Sequence, residues 1–380
     1  MTPSYTSRLR PTRDRSSLDI TLPCIPRTFP SVWQPTARIP QTGYPSSGSC
    51  DYTAWVSDVT KGQPDDAAEY PGTWSAFLSW FPDDAACARH LARLRWPDGI
   101  ACRACGVRRG WPTGAGRWWV CAGCTLKTSV TAGTIFDKTR TPLTTWFAAA
   151  WFVTTQKYGL SALGLQRALG LGSYQTAWMM LHRFRVAMLR QGRERLCGTV
   201  EVDETYVGGE EAGVRGRETE TKSIVAIAVE MYEPKGFGRV RLQRVQDVSA
   251  ASLIPFVEAT VGPGAAVHTD GWPSYGTLGE HGYVHTKTIL SGSESPAHVS
   301  MPGVHRVASL LKRWFLGTHQ GSVSSQHLDA YLNEFTFRFN RRKSRRRGLL
   351  FHRLLQQAAL TPPTTYKNTV HPDMRTADCG

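Results

Sequence analysis

Thr199–Gly209 reads TVEVDETYVGG, and it decides the fold. Two similar stretches follow, KSIVAIAVEMY at 222–232 and GRVRLQRVQ at 238–246. All three look like successive strands, rich in Val and Ile. The pattern then predicts a helix over about Ala250 to Val261, a short strand AVHTD at 266–270 and another strand within YVHTKTI at 283–289. Helices resume at about Val304–Leu316 and Gln326–Arg342. Three strands, a helix, two strands and further helices make an α/β sandwich.

Upstream of this core the period changes. In LTTWFAAAWFVTTQKYG, from Leu143, apolar residues recur at three and four, the helical spacing. LSALGLQRALG and SYQTAWMMLHRFRVAML are two further helices, separated by Gly170–Gly172, with Ser173 as the expected N-cap. Two helices joined by a short Gly turn fit a DNA-reading helix-turn-helix or a generic packing unit. Residues 1–70 are dominated by Pro, Ser, Thr and Arg and read as a disordered extension, since they cannot bury enough apolar surface to offset ordering entropy.

The strongest local signal is Cys102-x2-Cys105 followed, after 15 residues, by Cys121-x2-Cys124. Two CxxC turns each present two thiolates, the donor set of tetrahedral zinc. Four protein ligands leave no position open for water, so the zinc is expected to be structural. Arg103, Arg108, Arg109, Arg117 and Lys127 surround it and are candidates for DNA contact.

Composition sets the outer bounds. The chain has 380 residues, 41% of them hydrophobic, and a formal net charge of +15. That length suits two or three domains at roughly 150 residues each. The longest apolar run, Trp146–Val153, falls far short of the roughly 20 residues that a spanning helix needs. Nine Cys are too few for a disulfide scaffold, and no secretory pattern opens the chain, so the cell interior is expected. The excess of positive charge favours a polyanionic partner.

Two acidic residues stand where strands meet that partner's chemistry. Asp203 lies in the first strand, with Glu201 and Thr205 on its face, and Asp270 ends the fourth, before Gly271. A lone strand-end Asp is usually a turn or cap residue. Two that meet at one end of a sheet can hold Mg²⁺ through few protein ligands, leaving room for phosphate oxygens.

From about Trp80 to Tyr366 the chain resembles the insertion-sequence transposases with an N-terminal zinc ribbon and an RNase H-like, ISXO2-like core. The motifs that carry the resemblance are RWPDGIACRACG, SVTAGTIFDKTRTPLTTWF, VEVDETYVGG, HTDGWPSY and LKRWFLGTHQGSVSSQHLDAYLNEFTFRFNRR. It implies a multidomain α/β protein. Residues 71–140 form the zinc-ribbon region, 141–196 the helical DNA-binding segment, 197–345 the RNase H-like catalytic core and 346–380 a C-terminal tail. It also implies that Asp203 and Asp270 are the first two metal-binding aspartates of a DDE-type transposase, binding two Mg²⁺ or Mn²⁺ ions. The partners are double-stranded DNA at the terminal inverted repeats and at the target, with a homodimer or larger synaptic assembly in a bacterial cytoplasm, associated with the nucleoid.

The sequence departs from the family at the third site position. The family usually has Asn there, just before the LK of LKRW, whereas HRVASLLKRW has Leu310. Leucine offers no lone pair to a metal. Glu334 on the following helix is then a substitute candidate, and His305, five residues before Leu310, a weaker one. Lys312 matches the family's basic residue beside this site. His319 matches without a role. RRKSRRR at Arg341–Arg347 is expected to neutralise phosphates beside the catalytic end. Arg183 and Arg185 are candidates for reading the DNA. A non-enzymatic DNA-binding regulator and another nuclease on the same core are the competing readings.

Overall fold

The computed structural model describes residues 70–190, 192–208, 222–232, 236–288, 297–321 and 323–370. The extension expected over residues 1–70 lies, apart from Tyr70, outside the described residues.

The core is a five-stranded sheet of β4 (Thr199–Val207), β5 (Ser223–Met231), β6 (Phe237–Val245), β7 (Ala266–Asp270) and β8 (Val284–Thr288). Its spatial order is β6-β5-β4-β7-β8. The pairs β4–β5 and β5–β6 are antiparallel, and β4–β7 and β7–β8 are parallel. Helix α6 (Ala250–Thr260) makes the crossover that lets β7 run parallel to β4, a connection no tight hairpin can make. Strand β5 is covered on both faces, and its buried run Val225–Glu230 reads as an almost continuous apolar stretch.

The two faces have separate cores. On one, Leu253, Phe256 and Val257 of α6 pack against Val200, Val202, Ala226, Ala228 and Val267. On the other, α8 (Pro302–His319) and α9 (Leu328–Asn340) bury Val307, Leu311, Leu332 and Phe335 against Val225, Ile227 and Val229. Each fully buried aliphatic or aromatic side chain contributes about 1.5–3 kcal/mol. A short helix α7 (Ala297–Ser300) precedes α8.

A third core unites helices from distant parts of the chain: α1 (Trp74–Trp80), α2 (Asp84–Arg95), α3 (Leu143–Thr155), α4 (Ala162–Leu169), α5 (Tyr174–Ala187) and α10 (Arg347–Leu360). Residues 347–360, expected as part of a tail, instead bury Leu350, Phe351, Leu354, Leu355 and Ala358. These recur at three and four, the stripe of a packed helix. A final short helix, α11, spans Tyr366–Val370.

The helical pair α4–α5 turns at Gly170, whose φ of +61° is the left-handed cap that glycine adopts without a Cβ penalty. Ser173 takes the N-cap position of α5, but its hydroxyl caps no backbone N–H. Helix α3 starts after Pro142, which has no capping side chain. Asp84 of α2 supplies the cap, accepting from both the N–H and the hydroxyl of Thr144 at 3.0 Å. Among the described residues no helix is long and apolar enough to cross a membrane.

Candidate active site and metal centre

The four cysteines converge on a three-stranded antiparallel ribbon, β1 (Gly110–Thr113), β2 (Trp118–Cys121) and β3 (Lys127–Ser129). All four Sγ atoms lie within 4.8 Å of one another, with Cys102–Cys124 and Cys105–Cys121 each at 3.5 Å. Zinc–sulfur bonds of about 2.3 Å place the corners of a tetrahedron roughly 3.8 Å apart, so the donor set fits Zn²⁺. In each knuckle the residue after the second cysteine takes a positive φ: Gly106 at +72° and Thr125 at +58°. Gly123 serves another purpose, since a Cβ there would sit 2.9 Å from Val107 and 3.3 Å from the Cys105 sulfur. Backbone N–H groups of Ala104 and Cys105 pull the Cys102 thiol down to about 6, towards the thiolate that zinc binds.

In the sheet, β4 and β7 pair in parallel up to Val202 opposite Thr269. The next residues on the two strands are Asp203 and Asp270. Neighbouring strands lie about 4.8 Å apart, and the two aspartates share the face opposite Val202. The N–H of Glu204 donates to Asp203 Oδ1 at 2.8 Å, and the N–H of Trp272 donates to Asp270 Oδ1 at 3.1 Å. The second contact is an Asx turn that ends β7.

A third acid and a phenol join this end of the sheet. Tyr275, fully buried, donates its hydroxyl to Glu204 Oε2 at 3.1 Å. Burial first, then the charges of Glu204, Asp203 and Asp270, push its phenol well above the usual range. No local sequence signal pairs Glu204 with Tyr275. Both lie inside the quoted motifs, but only the turn Pro273–Tyr275 folds the phenol back onto β4.

Glu201, two residues before Asp203 on the same face, holds the start of α8. The helix begins after Met301, which makes no side-chain cap. The Glu201 carboxylate instead accepts from the N–H groups of Gly303 at 2.8 Å and Val304 at 3.0 Å. Burial pushes this carboxyl up, against those two donors. A Cβ on Gly303 would sit 2.5 Å from Met231 Sδ and 2.9 Å from Glu201, so this close approach requires glycine. The strand of Asp203 is thereby tied to the helix of Leu310 and Lys312.

Leu310 packs, half-buried, against the apolar cluster under α8. Lys312 is on the exposed side. Burial of its stem, then the charge of Lys222, pull its ammonium below the ordinary value.

Glu334 does something other than bind a metal. It is 1% exposed, and Arg185 Nε reaches its Oε2 at 2.8 Å while Arg338 Nε reaches its Oε1 at 2.9 Å. Burial raises its pKa, but Arg338 and Arg185 outweigh that and pull it down to about 2. Both carboxylate oxygens are committed to guanidinium groups, so the expectation that Glu334 substitutes for the third ligand is not kept. It clasps α9 to α5.

Three arginine expectations change in the same way. Arg185 is 1% exposed and lies over the Tyr331 ring at 3.9 Å. Arg183 donates to the carbonyls of Ile135 at 2.9 Å and Thr364 at 3.1 Å. Neither is free to read DNA. In the basic run, Arg341 stacks on Phe337, and Arg342 stacks on Phe339 while donating to Gly238 and Phe237 carbonyls. The register Thr199–Met231 and Met231–Phe237 sets those carbonyls level with the start of β4. That is about 13 Å along the strand from Asp203. The run therefore starts away from the Asp270 end of the sheet. Lys343, Arg345 and Arg346 are its exposed members.

Behind the Glu334 clasp lies an aromatic and imidazole cluster. His319 meets Trp314 at 4.8 Å and Tyr331 at 4.7 Å, and His182 meets Trp178, His327 and Tyr331. Burial foremost, then Arg185, holds His182 down to about 2 and His319 to about 4. Burial and Arg93 hold His90, midway along α2, to about 4. These groups are neutral in the fold but titrate near 6.5 when unfolded. The stability they contribute is full above pH 6.5 and falls as pH drops towards 4, by about 2–3 kcal/mol for each of His90 and His319. Urea midpoints should fall between pH 7 and 4.5; a flat profile would refute this account.

Residues 195–340 match the ISXO2-like transposase domain, and residues 82–127 match the transposase zinc-ribbon domain. A protein of Halobacterium salinarum, described as an uncharacterized protein in transposable element ISH50, is 26% identical over 282 residues. The similarity covers 69% of this chain and 92% of that protein.

Proposed function

We propose that this chain, which carries an ISXO2-like transposase domain behind a transposase zinc ribbon, cuts the ends of an insertion element and joins them to target DNA. The carrying observation is the parallel pairing of β4 and β7, which brings Asp203 and Asp270 to one face. The strand order β6-β5-β4-β7-β8, helices on both faces, is the basis for reading the core as RNase H-like.

Asp203 and Asp270 offer hard oxygen donors on one face of the sheet, suited to Mg²⁺ or Mn²⁺, while Glu204 points to the other face and is held by Tyr275. When bound, such ions activate the attacking oxygen and neutralise the leaving one. In the first step water attacks a backbone phosphorus in line, and the 3′-oxygen leaves and takes a proton. In the second, that 3′-hydroxyl attacks a target phosphodiester, one P–O bond forming as another breaks. Lys312, with Lys222 near it, is our candidate for holding the phosphate. Glu201 positions α8 against the strand of Asp203. Two DNA ends must be held together, so a dimer or larger assembly is the working unit.

Leu310 favours a second reading, a DNA-binding regulator without cutting activity. Strand transfer on duplexes carrying the terminal repeats that flank this gene, with Mg²⁺ or Mn²⁺, separates the two. Wild type should join ends, Asp203→Ala should not, and Leu310→Asn should join about tenfold faster or more by restoring a polar group. Tight binding of the repeats with no joining by any variant moves the regulator reading to the front. No binding of the repeats by wild type defeats both.

A further inference from the structure

We infer that one face of the zinc ribbon is a stacking platform for unpaired DNA bases, built on Trp111 and Trp118. Cross-strand partners share a face, and the pairs Trp111–Val120, Thr113–Trp118 and Val120–Lys127 put both indoles and Lys127 on one side. Trp111 and Trp118 are 49% and 45% exposed, whereas Val120 beneath them is 7% exposed. Among the described residues neither indole stacks on another aromatic ring.

The two rings are diagonal neighbours across an antiparallel pair, whose Cα atoms stand about 7–8 Å apart. Successive bases in a strand rise about 3.4 Å, so a short run of bases spans the two. The Trp118 ring is propped on the turn beneath it: a Cβ on Gly114 would come within 3.1 Å of Trp118 Cδ1. A ring already held in place loses little freedom when a base stacks on it.

Charge selects the occupant. From Gly99 to Phe136 there are five cations and no Asp or Glu. All five are exposed; Arg108 and Arg109 lead into β1, Arg117 leads into β2, and Lys127 lies on the face itself. Exposed aromatics among unopposed cations are the combination that binds single strands, through rings for bases and cations for backbone. The platform does not depend on the reaction assigned to the sheet, and a chain that bound DNA without cutting it would keep it.

The test compares two fluorescent strands of about 12 nucleotides, within the usual site size: oligodeoxythymidine and an abasic strand of equal length. The probe is the full-length, zinc-loaded protein. Wild type should bind the base-bearing strand at least about fivefold more tightly than the abasic one. The Trp111→Ala/Trp118→Ala variant should lose that preference and keep the abasic affinity, while Trp111→Phe/Trp118→Phe keeps most of the preference. Zinc content reports whether each variant retains the ribbon.

Equal wild-type affinity for both strands overturns the platform without recourse to any variant. So does a self-associating wild type whose dimer is lost in the alanine variant, because the face is then a subunit contact. Joining of DNA ends by a protein that ignores bases would refute the platform alone. Base-dependent binding by a protein that never joins ends would refute the reaction alone.

Discussion

Removing the zinc, by chelation or by Cys121→Ser, is expected to unfold the ribbon while the helical and sheet cores stay folded. The ribbon has almost no core of its own. Its strands have four, four and three residues, and its buried apolar side chains near the knuckles are few, Ile100 and Val120 among them, whereas Val130 just beyond β3 packs into the helical core. Structural zinc supplies about 10–16 kcal/mol in small zinc-finger peptides, far more than so few side chains can. Trp111, Trp118 and Trp119 report directly on the ribbon, so their fluorescence should shift when the metal leaves. Far-ultraviolet circular dichroism should change little, because the helices lie outside it. A ribbon that keeps its fluorescence and protease resistance after verified zinc loss would overturn the account.

Glu334→Ala is expected to destabilise the fold by about 3–5 kcal/mol, since it leaves Arg185 buried without its counter-charge. Arg185 and Glu334 are both 1% exposed, so water cannot replace the lost partner. The Glu334→Gln variant keeps the shape and still loses the charge pairing, so it should be destabilised as well. Removing Arg185 and Glu334 together, as Arg185→Met/Glu334→Leu, should recover part of the loss. The pair also predicts an acid arm. The Glu334 carboxyl lies at about 2 in the fold against an ordinary 4.5, so its contribution is full above pH 4.5 and lost as pH falls towards 2. Denaturation of the three variants beside wild type checks this. Unchanged stability with lost strand transfer would return Glu334 to the catalytic site.

The contrast between the two aspartates and the buried arginines shows where sequence reading stops. Asp203 and Asp270 sit in strands whose order and spacing can be read from Val-rich runs and Gly punctuation. An arginine's sequence neighbours do not tell whether its guanidinium meets water, a phosphate or a carbonyl from a distant segment. Arg183 donates to residues 48 and 181 positions away, and Arg185 to one 149 away. The helix caps behave alike: Asp84 serves α3 across 60 residues, and Glu201 serves α8 across 102.

By itself, the sequence determined the zinc donor set, the strand and helix order of the core, and the pair of strand acids. These depend on local spacing and on periodicity, which a linear chain displays. The tertiary structure decided the rest. It buried Glu334 between two arginines, turned the helix at 347–360 into core and set the start of the basic run at the far end of the sheet from Asp270. It also left two indoles of the ribbon exposed. Each outcome depends on which distant surfaces meet, because burial and partner choice belong to the packed chain rather than to any segment of it.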